Sequence, residues 1–429
     1  MGALRGQSWK YAAAPTRGAA IVVVVAALWA LGWQPALAAT VSLPGAAFDP
    51  AAVEKGAQLA AIGNCKSCHT APNGKPYAGG RALSTPFGTI YGSNITPDPE
   101  SGLGNWSQPE FMRAMREGVD RRGRHIYPAF PYDHYTRVNA EDVDAIYAFL
   151  MTREPVRAAT PPNELAFPFN IRSLVGIWKL LYFHVGPLQP NAAENEQWNR
   201  GAYLVEGLAH CGACHTPRNF LGAEIESRAF NGGQAEGWQT PALDASSAAS
   251  SPWTVERLYA YLRQGIDDVH DVTAGPMAPI VHDLSRVSAD DVRAIATYVA
   301  SFGAGQTPRP TSQNAATELP ASGRGAAIYA GACASCHDLG REVPGGALKL
   351  SLSTAVAMPQ PDNLIRIVRQ GIVPAAGESG PWMPAFAGVL TDAQLTDLAI
   401  YLRTRFGERA AWDDLAGAIE KIAPNPSTP

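Results

Sequence analysis

All six cysteines of this 429-residue chain fall into three copies of one spacing. They read Cys65-Lys-Ser-Cys68-His69, Cys211-Gly-Ala-Cys214-His215 and Cys333-Ala-Ser-Cys336-His337. C-x-x-C-H is the attachment pattern of c-type haem. Two thiols on one helical turn can form thioethers to the two vinyl groups of one porphyrin, and the next residue then points a neutral imidazole at the iron. A structural zinc site needs further ligands of matching type, a redox dithiol needs no following histidine, and exported disulfides have no reason to repeat this spacing. The pattern predicts three covalently bound haem c groups. Cys65 and Cys68, Cys211 and Cys214, and Cys333 and Cys336 are the attachment pairs, and His69, His215 and His337 are the proximal iron ligands.

The surroundings of the motifs repeat as well. A basic residue followed by Gly-Ala precedes each one: Lys55-Gly56-Ala57, Arg200-Gly201-Ala202 and Arg324-Gly325-Ala326. After each comes a helical segment ending in Arg-x-Gly, at Gly118, Gly265 and Gly371, and then a Gly/Pro-rich loop. A last helix follows, with apolar residues at i, i+3, i+4 and i+7: Val143, Ile146, Tyr147 and Leu150; Val292, Ile295, Ala296 and Val299; Leu395, Leu398, Ala399 and Leu402. Asn139 and Ser288 are N-cap candidates, and Thr391 with Gln394 forms a capping box. The predicted fold is all-α: three tandem class I cytochrome c modules, each a small helical domain around one haem, spanning 50–153, 196–303 and 321–407.

Register predicts the sixth ligands. Twelve residues past Gly265 stands Met277, and twelve past Gly371 stands Met383, both beside prolines that fix the loop backbone. Twelve past Gly118 stands Phe130, which cannot coordinate iron. His134, four residues further on, is the expected sixth ligand of haem 1, with His125 as runner-up and an open iron as the other alternative. Met112 and Met115 align with helix-packing positions and read as core. A bis-histidine haem 1 would sit at lower potential than haems 2 and 3.

Outside the modules, residues 1–39 read as a signal peptide or a retained N-terminal anchor. Arg5, Lys10 and Arg17 precede an apolar run from Ala19 to Trp33, then Pro35 and small residues. Residues 154–195 hold an apolar, aromatic stretch around Trp178 and Tyr182, suited to a helix at a membrane interface or buried against a module or partner. The polar, Pro-rich stretch 304–320 reads as an extended connector, and 408–429 as a C-terminal tail. With 34 Lys+Arg against 38 Asp+Glu, the net charge of −4 argues against nucleic-acid binding.

The three C-x-x-C-H sites together with Gly-Arg-His125-Ile-Tyr-Pro-Ala-Phe130-Pro-Tyr132, Leu-Ala-His210-Cys-Gly-Ala-Cys-His-Thr-Pro-Arg218-Asn219 and the Trp-Lys-Leu-Leu-Tyr-Phe stretch resemble a known group. These are the triheme cytochrome c subunits of membrane-bound periplasmic dehydrogenases of acetic acid bacteria and other proteobacteria. The resemblance covers roughly residues 50–407 and implies an electron-transfer subunit without substrate chemistry of its own. It implies a catalytic partner that is molybdopterin-, flavin- or PQQ-dependent, a small third subunit, and ubiquinone or a terminal oxidase as acceptor, on the periplasmic side of the inner membrane. Family members often carry Met where Phe130 stands. The rival reading is a haem enzyme, a c-type peroxidase or thiosulfate-oxidising cytochrome, working at an open haem 1.

Overall fold

In each of three stretches of the chain, a helix leading into a C-x-x-C-H turn crosses a later helix at a glycine. The computed structural model describes residues 36–37, 48–244, 246–247, 252–303, 323–338, 347–374 and 380–422. The stretch 304–320 and, apart from Ala36 and Leu37, residues 1–39, expected to be a signal peptide or anchor, lie outside the described residues.

The first stretch runs α1 (Pro50–Ile62), α2 (Cys65–Cys68), β1 (Ala82–Thr85), β2 (Gly88–Tyr91), α3 (Gln108–Glu117), α4 (Tyr132–Tyr135), α5 (Ala140–Met151), β3 (Glu164–Leu165) and α6 (Leu174–Tyr182). The second runs α7 (Glu196–Tyr203), a π turn (Leu204–Leu208), α8 (Gly212–His215), β4 (Gly233–Ala235), β5 (Trp238–Thr240), α9 (Val255–Gln264), α10 (Met277–Leu284) and α11 (Ala289–Ser301). The third comprises α12 (Arg324–Ala332), α13 (Ala334–His337), α14 (Thr354–Ala357), α15 (Asp362–Gln370), α16 (Asp392–Gly407) and α17 (Leu415–Lys421).

Local chemistry starts these helices where the sequence predicts. Asn139 Oδ1 accepts from Asp142 N–H at 2.8 Å, and Thr391 and Gln394 exchange backbone–side-chain bonds at 2.9 and 3.2 Å. Ser288 precedes α11 without a side-chain capping bond. The basic-Gly-Ala signal is a crossing device. Gly56, Gly201 and Gly325 let α1, α7 and α12 lie directly on the backbones of α5, α11 and α16. A Cβ at these positions would overlap the carbonyl oxygens of Ala145, Ala294 and Asp397 respectively. The basic residue before each glycine pins the same crossing by an ion pair: Lys55–Asp142 at 2.8 Å, Arg200–Asp291 at 2.7 Å and Arg324–Asp397 at 3.0 Å.

The molecule is largely helical, but three expectations need correcting. The all-α reading omitted short strands: β1, β2 and β3 form an antiparallel sheet and β4 pairs with β5. Residues 154–195 are more than a linker. The stretch Val156–Leu165 wraps the first stretch, with Val156 O accepting from Asn94 Nδ2 at 2.7 Å and β3 completing its sheet. Finally, 408–422 is no free tail. Trp412, Leu415, Ile419 and Ile422 are buried in the same core as Leu398 and Leu402. Arg369 donates to the carbonyls of Ile419 and Ile422, and the Arg403 guanidinium lies over the Trp412 ring at 4.4 Å. Four such side chains contribute about 1.5–3 kcal/mol each when fully buried, enough to hold a short helix that would not form alone.

Helix α6 packs against both of the first two stretches. Val175 and Lys179 face inward, and Lys179 Nζ donates to the Gly118 carbonyl at 2.7 Å, closing the C-terminus of α3. Trp178 Nε1 reaches Leu221 O at 3.1 Å, tying the helix to the second stretch. Leu180 and Leu181 remain 70% and 57% exposed.

Candidate haem-binding sites

The three motif histidines are held in one way. His69 Nδ1 lies 2.6 Å from Ser93 O, His215 Nδ1 lies 2.8 Å from Pro241 O, and His337 Nδ1 lies 2.8 Å from Leu348 O. A carbonyl only accepts, so each Nδ1 carries the proton and each Nε2 is left as the unprotonated, metal-binding nitrogen. Burial, partly countered by those hydrogen bonds, lowers the pKa of His69 and His215 and keeps them neutral. This donor set fits haem iron.

The cysteines fit it too. All six are unpaired and partly buried. Burial pushes the Cys65 and Cys211 thiols up to about 12 and Cys214 and Cys333 to about 11. Such groups are protonated at neutral pH. A cavity of about 2140 Å³ opens beside the first two motifs. Cys65, Cys68 and His69 line it from the first stretch, and His210, Ala213 and Cys214 from the second, so the cavity takes in the first attachment site and reaches the second at Cys214.

Met277 is the first residue of α10, half-buried against the core that joins the first two stretches. Met383 is half-buried against the third core, and its backbone exchanges hydrogen bonds with Ile372 at 2.8 and 2.9 Å. Phe130 lines the large cavity, edge-on to Tyr135 at 5.2 Å between centroids.

The two histidines expected at the first iron are placed otherwise. His134 Nδ1 lies 2.9 Å from Glu206 O and Nε2 2.9 Å from Glu224 Oε1, so both ring nitrogens are engaged by the second stretch and neither is free for iron. Burial alone would lower the pKa of His134, but the hydrogen bond and charge of Glu224, with Asp133, raise it. His134 is therefore an interface residue. The physical reason is α4: its turn, pinned where the Tyr132 ring fills the space beside Gly118, carries residue 134 away from the cavity that Phe130 faces. His125 is buried in the backbone bridge with Val119, a position that Val272 holds opposite Ile266 in the second stretch. Neither His134 nor His125 is on the cavity wall; Met115, which helical register marks as core, is.

Sequence reasoning missed the interface chemistry. Arg81 Nη2 donates to both carboxylate oxygens of Glu236, at 2.7 and 2.9 Å, between the first two stretches. Asn363 Nδ2 and Gln239 O at 2.8 Å, with Asp271 accepting from Thr354 N–H at 3.0 Å, join the second to the third. His270, which nothing in the sequence marks as buried, lies inside the fold and stacks on Trp253 at 3.7 Å.

Comparison with known proteins agrees with this donor set. Residues 53–154 match the family described as cytochrome c, and residues 320–402 match the cytochrome c oxidase cbb3-type subunit III family. The chain is 42% identical to one of the nicotinate dehydrogenase subunits of Pseudomonas putida, over 99% of this chain and 36% of that protein. It therefore spans about a third of that relative's length. It is 37% identical to the fructose dehydrogenase cytochrome subunit of Gluconobacter japonicus, covering 86% of this chain and 82% of the relative. It is 36% identical to the gluconate 2-dehydrogenase cytochrome c subunit of Pantoea cypripedii, covering 84% and 87%.

Proposed function

Because the chain belongs to the family of cytochrome c subunits of bacterial alcohol, fructose and gluconate dehydrogenases, we propose that it binds three haem c groups and relays electrons from a dehydrogenase catalytic subunit to ubiquinone or a terminal oxidase. Haem c, when bound, supplies reversible one-electron exchange at iron. The chain's own part is attachment and orientation. Cys65, Cys68 and His69 hold the first group, Cys211, Cys214 and His215 the second, and Cys333, Cys336 and His337 the third. Met277 and Met383 close the second and third irons. The observation that supports this reading is a cavity lined by both Cys68 and Cys214, which brings the first two attachment sites side by side.

The likeness to a nicotinate dehydrogenase component supports a partner acting on an N-heterocycle. For location, this reading takes the periplasmic face of the inner membrane, with the exposed side of α6 toward lipid. No helix among the described residues is long and apolar enough to cross a membrane. The test is anaerobic addition of substrate to the native complex. All of the haem absorbance is expected to become reduced and to reoxidise on adding a ubiquinone analogue. Haem that stays oxidised with substrate but turns over with peroxide would overturn the relay reading.

A further inference from the structure

We propose that Met115 supplies the sixth ligand of the first haem iron. The inference rests on the haem reading above and deepens it. Phe130 occupies the loop position at which the other two sites present methionine, and a phenyl ring offers iron no lone pair. His134 has both nitrogens engaged, and His125 is not on the cavity wall. Met115 is on that wall with Cys65, Cys68, His69 and Phe130, and it is only 4% exposed.

Its helix is built to hold it there. Met115 lies on the last turn of α3, whose end is closed by Lys179 Nζ on the Gly118 carbonyl and by the Tyr132 ring packed beside Gly118. Of the other soft donors on the wall, Met358 belongs to the third stretch, and its sulfur accepts from Asn363 Nδ2 at 3.5 Å. His210 stands next to Cys211 in the second attachment turn, with Nδ1 3.1 Å from Leu208 O; its Nε2 remains a competing donor on the wall, which the His210→Ala variant tests. The ligand is thus moved from the loop to the preceding helix, and the potential consequence reverses. Histidine–methionine ligation at all three irons replaces the low-potential bis-histidine site that His134 would have made.

The test uses the full-length holoprotein. Ferric wild type is expected to be low spin at all three haems, with the methionine-to-iron charge-transfer band of three sites. Met115→Leu is expected to lose about one third of that band and to turn one haem high spin and cyanide-reactive. Met115→His is expected to stay low spin with one midpoint potential lowered, which separates ligation from a folding defect. His134→Gln and His210→Ala are expected to leave the band unchanged. An unchanged spectrum in Met115→Leu, or loss of the band in His134→Gln or His210→Ala, overturns the assignment. A wild type with fewer than three haems removes the reading beneath it, and the pyridine haemochrome count distinguishes that failure from a wrong ligand.

Discussion

Gly201→Val is expected to cost the second site its haem and to loosen the core it shares with the first, while the third site, which has a core of its own, still loads. At Gly201, α7 touches the backbone of α11, so a Cβ would overlap the Ala294 carbonyl and approach Tyr298 Cβ at 2.8 Å. Backbone cannot rotate aside as a side-chain tip can, so the helices must part. Overpacking of this kind costs about 1–3 kcal/mol even where side chains can yield, and on the order of 4–5 kcal/mol where they cannot. The parting would also strain the Arg200–Asp291 pair at the same crossing. Circular dichroism and haem content measure the outcome. Gly331→Ala is the control: this glycine lies on α12 with nothing within 4 Å of a Cβ, and alanine there is expected to be neutral or to stabilise by about 0.5–1 kcal/mol. Equal damage from both variants would reject the crossing argument.

The Cys211→Ser, Cys214→Ser double variant is expected to fold with two haems and to lose at least about 100-fold in substrate-to-quinone turnover, a loss of about 2.7 kcal/mol in barrier terms. The second stretch contacts both of the others. Cys214 shares the large cavity with Cys68, and Gln239 and Asp271 bond to Asn363 and Thr354 of the third stretch. Removing the middle site leaves a gap in the relay while sparing the Arg81–Glu236 and His134–Glu224 pairs that hold the units together. Stopped-flow absorbance should show the haem nearest the dehydrogenase still reduced by substrate. Full turnover with two haems would remove the second site from the route.

What could be read in the sequence was what a few neighbouring residues determine. The C-x-x-C-H spacing, the recurring basic-Gly-Ala triplet and the caps at Asn139 and Thr391 are all local, whereas the helix crossings that the triplet makes are not. His134 shows where that reasoning stops. Its partners Glu206 and Glu224 lie 72 and 90 residues away, and only the fold brings them to the imidazole. Met115 escapes sequence reasoning for a related reason. Helical periodicity marks it as inward-facing, yet does not tell a hydrocarbon core from a cofactor cavity. The C-terminal helix was legible in principle, since Trp412, Leu415, Ile419 and Ile422 follow a helical face, but the Pro-rich end of the chain masked it. Strands of two to four residues have too little periodicity to announce themselves.

Each C-x-x-C-H motif is expected to carry a covalently bound haem. A pyridine haemochrome assay on the purified, acid-acetone-extracted full-length chain measures this directly. Three haem equivalents per polypeptide are expected, all resisting extraction. Two or fewer, or haem that leaves with the solvent, would contradict it.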